Sequence, residues 1–367
     1  SFDDGTSWIP LQGDLPHAPA YWMTVQTHFN DLVVGTYGRG FWILDDITPI
    51  QQLTDQVLAS DFHLFQPRPA YRFLPREGKN SQPDDPAAGE NPTPGASLNF
   101  YLGQGTESRA QIIITTESGE HVRTLSTTGT GGLNRVFWDL RYESSSTPRL
   151  RTRPLEHSHR EVGPSGWRPP PDGGVVRPLA VPGLYRITLV LAGHEEQSVW
   201  LEVLQDPESS ASASDMEAQL NLQLELRELS DSTGALIDRI EWTRKSLEDL
   251  KDRLAGDPGY SDIVSAGEML DQLLIELEMG LFDLRLTGGS ARQDTIRWPR
   301  QLWAKLSSLS GYSSGSDNRP TDQMLEIRTV YRQRVTDSLL RWAEIAASDL
   351  ARFNQVLAEQ GLPPIIS

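Results

Sequence analysis

The sequence predicts a multidomain chain of β structure followed by α. Three observations carry this expectation. Its 367 residues exceed what one hydrophobic core usually organises, so two or three domains are expected. Up to about residue 205, short β-branched and aromatic runs alternate with turn residues. Beyond that point leucines recur at helical spacing.

Composition excludes several function classes. A formal charge of −17 and a pI near 4.8 argue against a nucleic-acid partner, because phosphate contacts need a basic face. With no cysteine there is no disulfide framework and no thiolate metal site. No apolar run reaches the roughly 18 residues of a membrane span. The first residues lack the charged and apolar regions of a signal peptide.

Residues 1–50 open with Ser1, Asp3, Gly5 and Trp8 in the pattern Ser-x-Asp-x-Gly-x-x-Trp. The Asp3 carboxylate suits backbone N–H groups of a turn, Gly5 supplies a positive φ, and Trp8 plugs between sheets. Pro10, Pro16 and Pro19 mark a loop before a strand over Tyr21–Gln26. Asn30 and Asp31 turn the chain into a strand over Leu32–Thr36, and Gly38-Arg39-Gly40 makes a corner into Phe41–Leu44. This segment reads like the inner strands of a propeller, packed face to face with a neighbouring sheet.

The opening pattern resembles the Asp-box of BNR-type β-propellers. The run DLVVGTYGRGFWILDDITPIQQL (Asp31 to Leu53) resembles the last blade of bacterial exported proteins with a sortilin-like (VPS10-type) propeller, often labelled glycosyl-hydrolase-like. The resemblance implies a terminal β-propeller blade of an incomplete propeller. Its remaining blades would belong to the same parent protein or to another chain.

Residues 51–95 read as a connector. Ile47 to Leu58 is mildly helical, Leu64 to Phe73 is extended and pinned by prolines, and Glu77 to Gly95 is a loop or tether. Strands are expected over Ser97–Leu102, Ala110–Thr115, Val122–Leu125, Arg135–Asp139, Tyr185–Leu191 and Val199–Leu204, with a hairpin at Glu117 to Glu120. GLNRVFWDLR (Gly132 to Arg141) and VPGLYRITLVLAG (Val181 to Gly193) resemble Ig-like modules of secreted bacterial proteins. That implies an Ig-like β-sandwich over 96–205.

Within that span, residues 144–178 form a basic, Pro-rich insertion carrying Arg149, Arg151, Arg153, His157, His159, Arg160, Trp167 and Arg168. Two readings stand side by side. One is a solvated loop docked on an acidic neighbouring domain, and the other is a binding loop for an acidic glycan or protein partner.

Residues 206–367 predict an antiparallel helical bundle. A capping box at Ser214 to Glu217 opens a long helix whose stripe runs from Leu222 to Leu254, ended by Gly256-Asp257-Pro258-Gly259. A second helix starts near Ser261, a third has Pro299 in its first turn, and Thr321 caps a last one. The closing stretch from Thr321 to Ile365 is also similar to the C-terminus of the sortilin-like family.

Motifs for catalysis are sparse. Asp3 reads as structural, because the resemblance places the Asp-box on the outer rim of a propeller. Asp45 and Asp46 alternate faces if the strand continues, which disfavours a shared metal. His157 and His159 would share a face only on a strand, and they lie in a Pro/Arg-rich loop. Gly35, Gly38 and Gly40 precede a strand and not the helix a phosphate loop requires. No catalytic residue, metal site or cofactor is therefore assigned.

The expectation is a non-catalytic binding or assembly portion of an exported protein, with a protein or glycan ligand. The alternative is part of a glycoside hydrolase whose catalytic carboxylates lie in upstream blades.

Overall fold

The computed structural model describes residues 1, 4–8, 10, 11, 13–74, 89, 91–287 and 297–366. The protein is a mixed α plus β chain that divides into two compact units. One comprises residues 1–143 and 179–210, the other residues 144–178 and 211–367.

The first unit contains two sheets. The smaller has three antiparallel strands in sequence order, β1 (Ala20–Gln26), β2 (Asp31–Thr36) and β3 (Phe41–Leu44). Thr36 N–H donates to Gly40 O (3.0 Å), closing the hairpin between β2 and β3, and Gly38 and Gly40 take φ of 78° and 74°. Those positions need residues without a Cβ penalty. The chain then forms two single-turn helices, α1 (Thr48–Gln51) and α2 (Asp55–Leu58).

The larger sheet has six strands: β4 (Phe62–Leu64), β5 (Ala70–Arg72), β6 (Ala96–Thr116), β7 (His121–Trp138), β8 (Gly183–Leu191) and β9 (Gln197–Gln205). Their order is β4-β6-β8-β9-β5, with β7 along the other edge of β6. The four expected short strands over 97–139 are thus two long ones. β6 pairs with β4 at its start and with β8 at its end, while β7 follows it throughout with a register shift between Leu102 and Glu107.

The glycines of this stretch mark close approach within the long strands. A Cβ at Gly131 would lie 2.9 Å from Gly105 N and 3.0 Å from Gly103 O, and one at Gly129 would lie 2.8 Å from Leu102 Cδ1. Glycine here lets the two strands bend together, where a sequence reading takes it for a turn. One face of the sheet buries Leu98, Phe100, Leu102, Ile112, Ile114, Trp138, Ile187 and Leu189. Trp138 and Tyr185 meet edge to face at 5.1 Å.

Arg135 ties this sheet to the chain leaving β3. Its guanidinium donates to Asn99 Oδ1 (2.9 Å), Asp45 O (3.0 Å) and Asp46 O (2.7 Å).

The second unit is built on α3 (Ala213–Leu254), with α4 (Ser261–Leu281), α5 (Leu302–Ser313), α6 (Asp322–Ile345) and α7 (Ala351–Glu359). A single apolar core runs through them, including Leu226, Ile237, Ile240, Leu274, Leu306 and Phe353. Three local expectations shift. The cap of α3 is Ser212, whose Oγ accepts from Asp215 N while the Asp215 carboxylate accepts from Ser212 N (both 3.2 Å). Ser212 has the extended backbone a cap needs, whereas Ser214 already lies inside the helix. Pro299 precedes α5, which Gln301 caps. The expected last helix is interrupted by a π turn over Ala346–Leu350. Among the described residues no helix is long and apolar enough to cross a membrane.

The bend gives a direct test. Gly131→Ala is expected to destabilise the sheet unit by about 1–3 kcal/mol, because the new methyl meets backbone and not a movable side chain. Gly174→Ala meets nothing within 4 Å and should stay within about 0.5 kcal/mol of the parent. Urea unfolding followed by circular dichroism measures both.

Candidate functional site

Residues 144–178 leave the sheet unit, in whose sequence span they fall, and pack within the helical unit. The reason is an acidic row on α3. Ser146 donates through N and Oγ to Asp231 Oδ1 (2.7 and 2.8 Å). Arg149 N donates to Asp238 Oδ1 (3.0 Å), and Thr152 donates through N (2.7 Å) and Oγ1 (2.8 Å) to Glu241. Arg151 N also donates to Glu241 Oε2. Asp231, Asp238 and Glu241 are separated by seven and three positions, which puts them on one stripe of the helix. Three carboxylates thus receive the backbone of a segment that has no regular partner strand.

Leu150 and Val176 from the segment enter the helical core. Leu150 and Arg168 pair their backbones at 3.0 and 2.8 Å, and Leu155 N donates to Leu284 O (3.0 Å). At Gly173, with φ 87°, a Cβ would stand 2.7 Å from Trp303 Cδ1, so the chain can lie against that ring only without a side chain.

The candidate binding residues separate by environment. Arg151 is buried, with Nη1 2.8 Å from Asp238 Oδ1 and its guanidinium 4.3 Å from the Trp242 ring centre. Arg168 is half-buried and donates to Thr152 O and Leu286 O (both 3.3 Å). Arg149 is exposed and lies over Trp167 at 5.1 Å. Arg153, His159 and Arg160 are exposed. The rings of His157 and His159 are 5.8 Å apart, edge to face. The segment therefore does not bring its cations to one point.

Beneath it lies a polar cluster that sequence reasoning missed. Arg244 is buried on α3 and binds Glu278 (2.9 Å), Asp271 (2.9 Å) and Thr152 Oγ1 (3.2 Å), with Glu241 at 3.5 Å. Burial works against its charge, but Glu278, Asp271 and Glu241 outweigh that and hold the guanidinium above its ordinary value. Burial pushes the Glu278 carboxyl well up, and the facing Glu241 adds to the effect. Burial also raises Asp271 against the pull of Arg244, and it lowers Arg168. Glu278 Oε1 is buried without a hydrogen-bond partner, next to the Glu241 carboxylate that helps raise Glu278. The sequence signal was faint: Glu241 and Arg244 sit three apart between the core residues Ile240 and Leu247 of α3.

In the first unit, Ser1 Oγ accepts from Gly5 N (2.7 Å), Gly5 has φ 83°, and the Trp8 indole N–H donates to Gly5 O (3.1 Å). Asp3 lies outside the described residues. Most of the tether expected over 77–95 does too. Asp46 is buried, its Oδ1 accepts from Thr48 N (3.2 Å), and Arg68 Nε is 3.8 Å away, an arrangement that braces a corner. Among the described residues no group of three or more His, Asp or Glu side chains is placed to hold a metal.

The three-stranded sheet has the most unusual surface. Opposite residues in the ladder share a face, so Met23, Val25, Leu32, Val34, Trp42 and Leu44 form one side. Trp22, Val33, Phe41 and Ile43 form the other. Both sides carry exposed apolar residues: Trp22 is 74% and Phe41 83% exposed on one face, and Met23 is 62% exposed on the other, where Val34 is buried.

No family model matches the chain, and no curated protein matches it. A solved structure titled "pT26-6p" is similar at 11% identity and a TM-score of 0.15, over 68% of this chain and 46% of that one. A TM-score this low leaves fold and function to be argued from the residues.

The polar cluster makes two predictions. Glu241→Ala is expected to cost about 3–5 kcal/mol, since it leaves three buried donors of the segment, Arg151 N and Thr152 N and Oγ1, without their acceptor. Because Glu278 is raised in the folded chain, its contribution is fully present below the ordinary value of 4.5 and declines as pH rises above it. The urea midpoint of the helical unit should therefore fall as pH rises above 4.5, and Glu278→Gln should shrink that fall.

Proposed function

We propose that the chain is a non-catalytic assembly and binding portion of a larger exported propeller protein. The three-stranded sheet is its terminal β-propeller blade, the six-stranded sheet an Ig-like β-sandwich, and the helical unit an antiparallel bundle. The remaining blades, from the same parent protein or from another chain, cover the blade on its two faces. The ligand is a protein or a glycan.

The observation that carries this reading is a sheet that exposes large apolar residues on both faces, Trp22 and Phe41 on one and Met23 on the other. A sheet at the surface of a domain is apolar on one side only, with polar residues alternating on the other. Apolar residues on both sides suit a layer in the middle of a stack, which is the position of every blade in a propeller. The turn joining Ser1, Gly5 and Trp8 and the positive-φ corner at Gly38 and Gly40 agree with the Asp-box and blade resemblance.

Energetics distinguish this from an ordinary surface hairpin. Burying side chains such as Trp22, Phe41 and Met23 is worth roughly 1.5–3 kcal/mol each. In the chain alone Phe41→Ser and Met23→Ser are expected to change stability by less than about 0.5 kcal/mol, since both are exposed. Within the assembled protein each should cost several times more.

Hydroxyl-radical footprinting compares the two states. Trp22 and Phe41 on one face, and Met23 on the other, should oxidise rapidly in this chain and be protected together in the natural assembly. Protection of only one face would describe a simple docking surface and overturn the blade reading.

A further inference from the structure

A second surface in the helical unit has the make-up of a small-ligand site. Arg239, Trp242, Ser246, Asp249 and Arg253 line one side of a groove of about 510 Å³, and the segment Pro363–Ile366 forms the other. Spacings of three and four positions put the five residues on one stripe of α3, about 21 Å long at 1.5 Å per residue. Trp242 is 55% exposed, although a large aromatic ring at this position of a core helix would ordinarily be covered.

The ring is held from below. The buried Arg151 guanidinium lies 4.3 Å from its centre, Arg151 is fixed by Asp238 at 2.8 Å, and its backbone N–H is bound by Glu241. Trp242 is thus a braced, pre-formed platform. Across the groove, Ile365 is fixed by Asn354, which donates to its carbonyl (2.9 Å) and accepts from its N–H (2.7 Å).

The polar groups favour an anion. Lys245 pairs with Asp249 at 2.9 Å while also holding Glu248 at 3.1 Å. Arg253 spends its Nε on Asp249 O, and the Arg239 guanidinium has no partner among the described residues. In a chain of charge −17, Arg239 and Arg253 beside an open indole outnumber Asp249, the one carboxylate among the groove's side chains. A helix face offers no free backbone N–H or C=O, so a peptide would find no main-chain ladder here. A sugar ring needs none: its C–H face stacks on an aromatic plane and its oxygens take side-chain donors.

We propose that this groove binds an acidic oligosaccharide of the uronic-acid class, with one ring stacked on Trp242 and its carboxylate held by Arg239. The proposal rests on the binding role above and specifies its ligand, but it does not depend on the blade. Failure here leaves the two-face protection of the β1–β3 sheet standing, and loss of that protection leaves this groove intact.

Isothermal titration of the full chain with tetragalacturonate, maltotetraose and penta-glutamate tests it. Saturable binding of tetragalacturonate is expected, weakened about tenfold or more by Trp242→Ala. Arg239→Ala, a surface change, should weaken it about fivefold without altering the response to maltotetraose. Thermal unfolding checks that Trp242→Ala remains folded; if it does not, Arg239→Ala and Trp242→Phe decide the matter, the latter retaining most of the affinity. Absence of saturable tetragalacturonate binding, equal binding of maltotetraose, binding of penta-glutamate alone, or an unaffected Arg239→Ala would each overturn the proposal.

Discussion

A β-sheet with apolar side chains on both faces cannot stay in water as a finished structure. This constraint governs the reading of the first fifty residues. In β1–β3 the ladder sorts Met23, Val34 and Trp42 to one side and Trp22, Phe41 and Ile43 to the other, so no rotation of the sheet hides both sets. Edge strands in such a sheet also carry unpaired backbone groups that invite further pairing. The rest of the first unit does not relieve this. Its contacts to the small sheet run through Arg135 at the corner after β3 and through Tyr71 and Arg68 against His28 and Phe29 at the β1–β2 turn, and leave Trp22, Phe41 and Met23 exposed.

The second unit solves a different problem. A segment of 35 residues without regular secondary structure is held to a helix by carboxylates that accept its backbone N–H groups. Asp231, Asp238 and Glu241 do for this segment what a neighbouring strand would do in a sheet. The cost is a buried cluster of charge, which Arg244 offsets by pairing with Glu278, Asp271 and Glu241. The same arrangement sets Arg151 beneath Trp242, so the acidic row that fastens the segment also stiffens the exposed ring.

Much of the architecture was legible in the residues. The strand over Phe41–Leu44, the helix starting at Ser261 and the Thr321 cap fall where periodicity and capping chemistry put them. The long β6 and β7 were not legible, because Gly103, Gly105, Gly129 and Gly131 read as turns when the two strands are considered separately. Only the pairing reveals that Gly129 faces Leu102 and the Phe100 ring and that Gly131 faces the backbone of Gly103 and Gly105. The membership of residues 144–178 was hidden for a similar reason. Its basic character suggested an acidic neighbour, but the acids that hold it lie some ninety positions away and engage its backbone more than its arginines. Trp242 was missed because an aromatic residue at helical spacing reads as core, and its exposure is visible only once α3 is packed.

The central claim is that β1–β3 is an inner layer covered on both sides. A structure of the natural assembly containing this chain tests it most directly. The account predicts a sheet packed about 10 Å from the Met23–Trp42 face and another on the Trp22–Phe41 face. Either face left open to solvent in that assembly would contradict it.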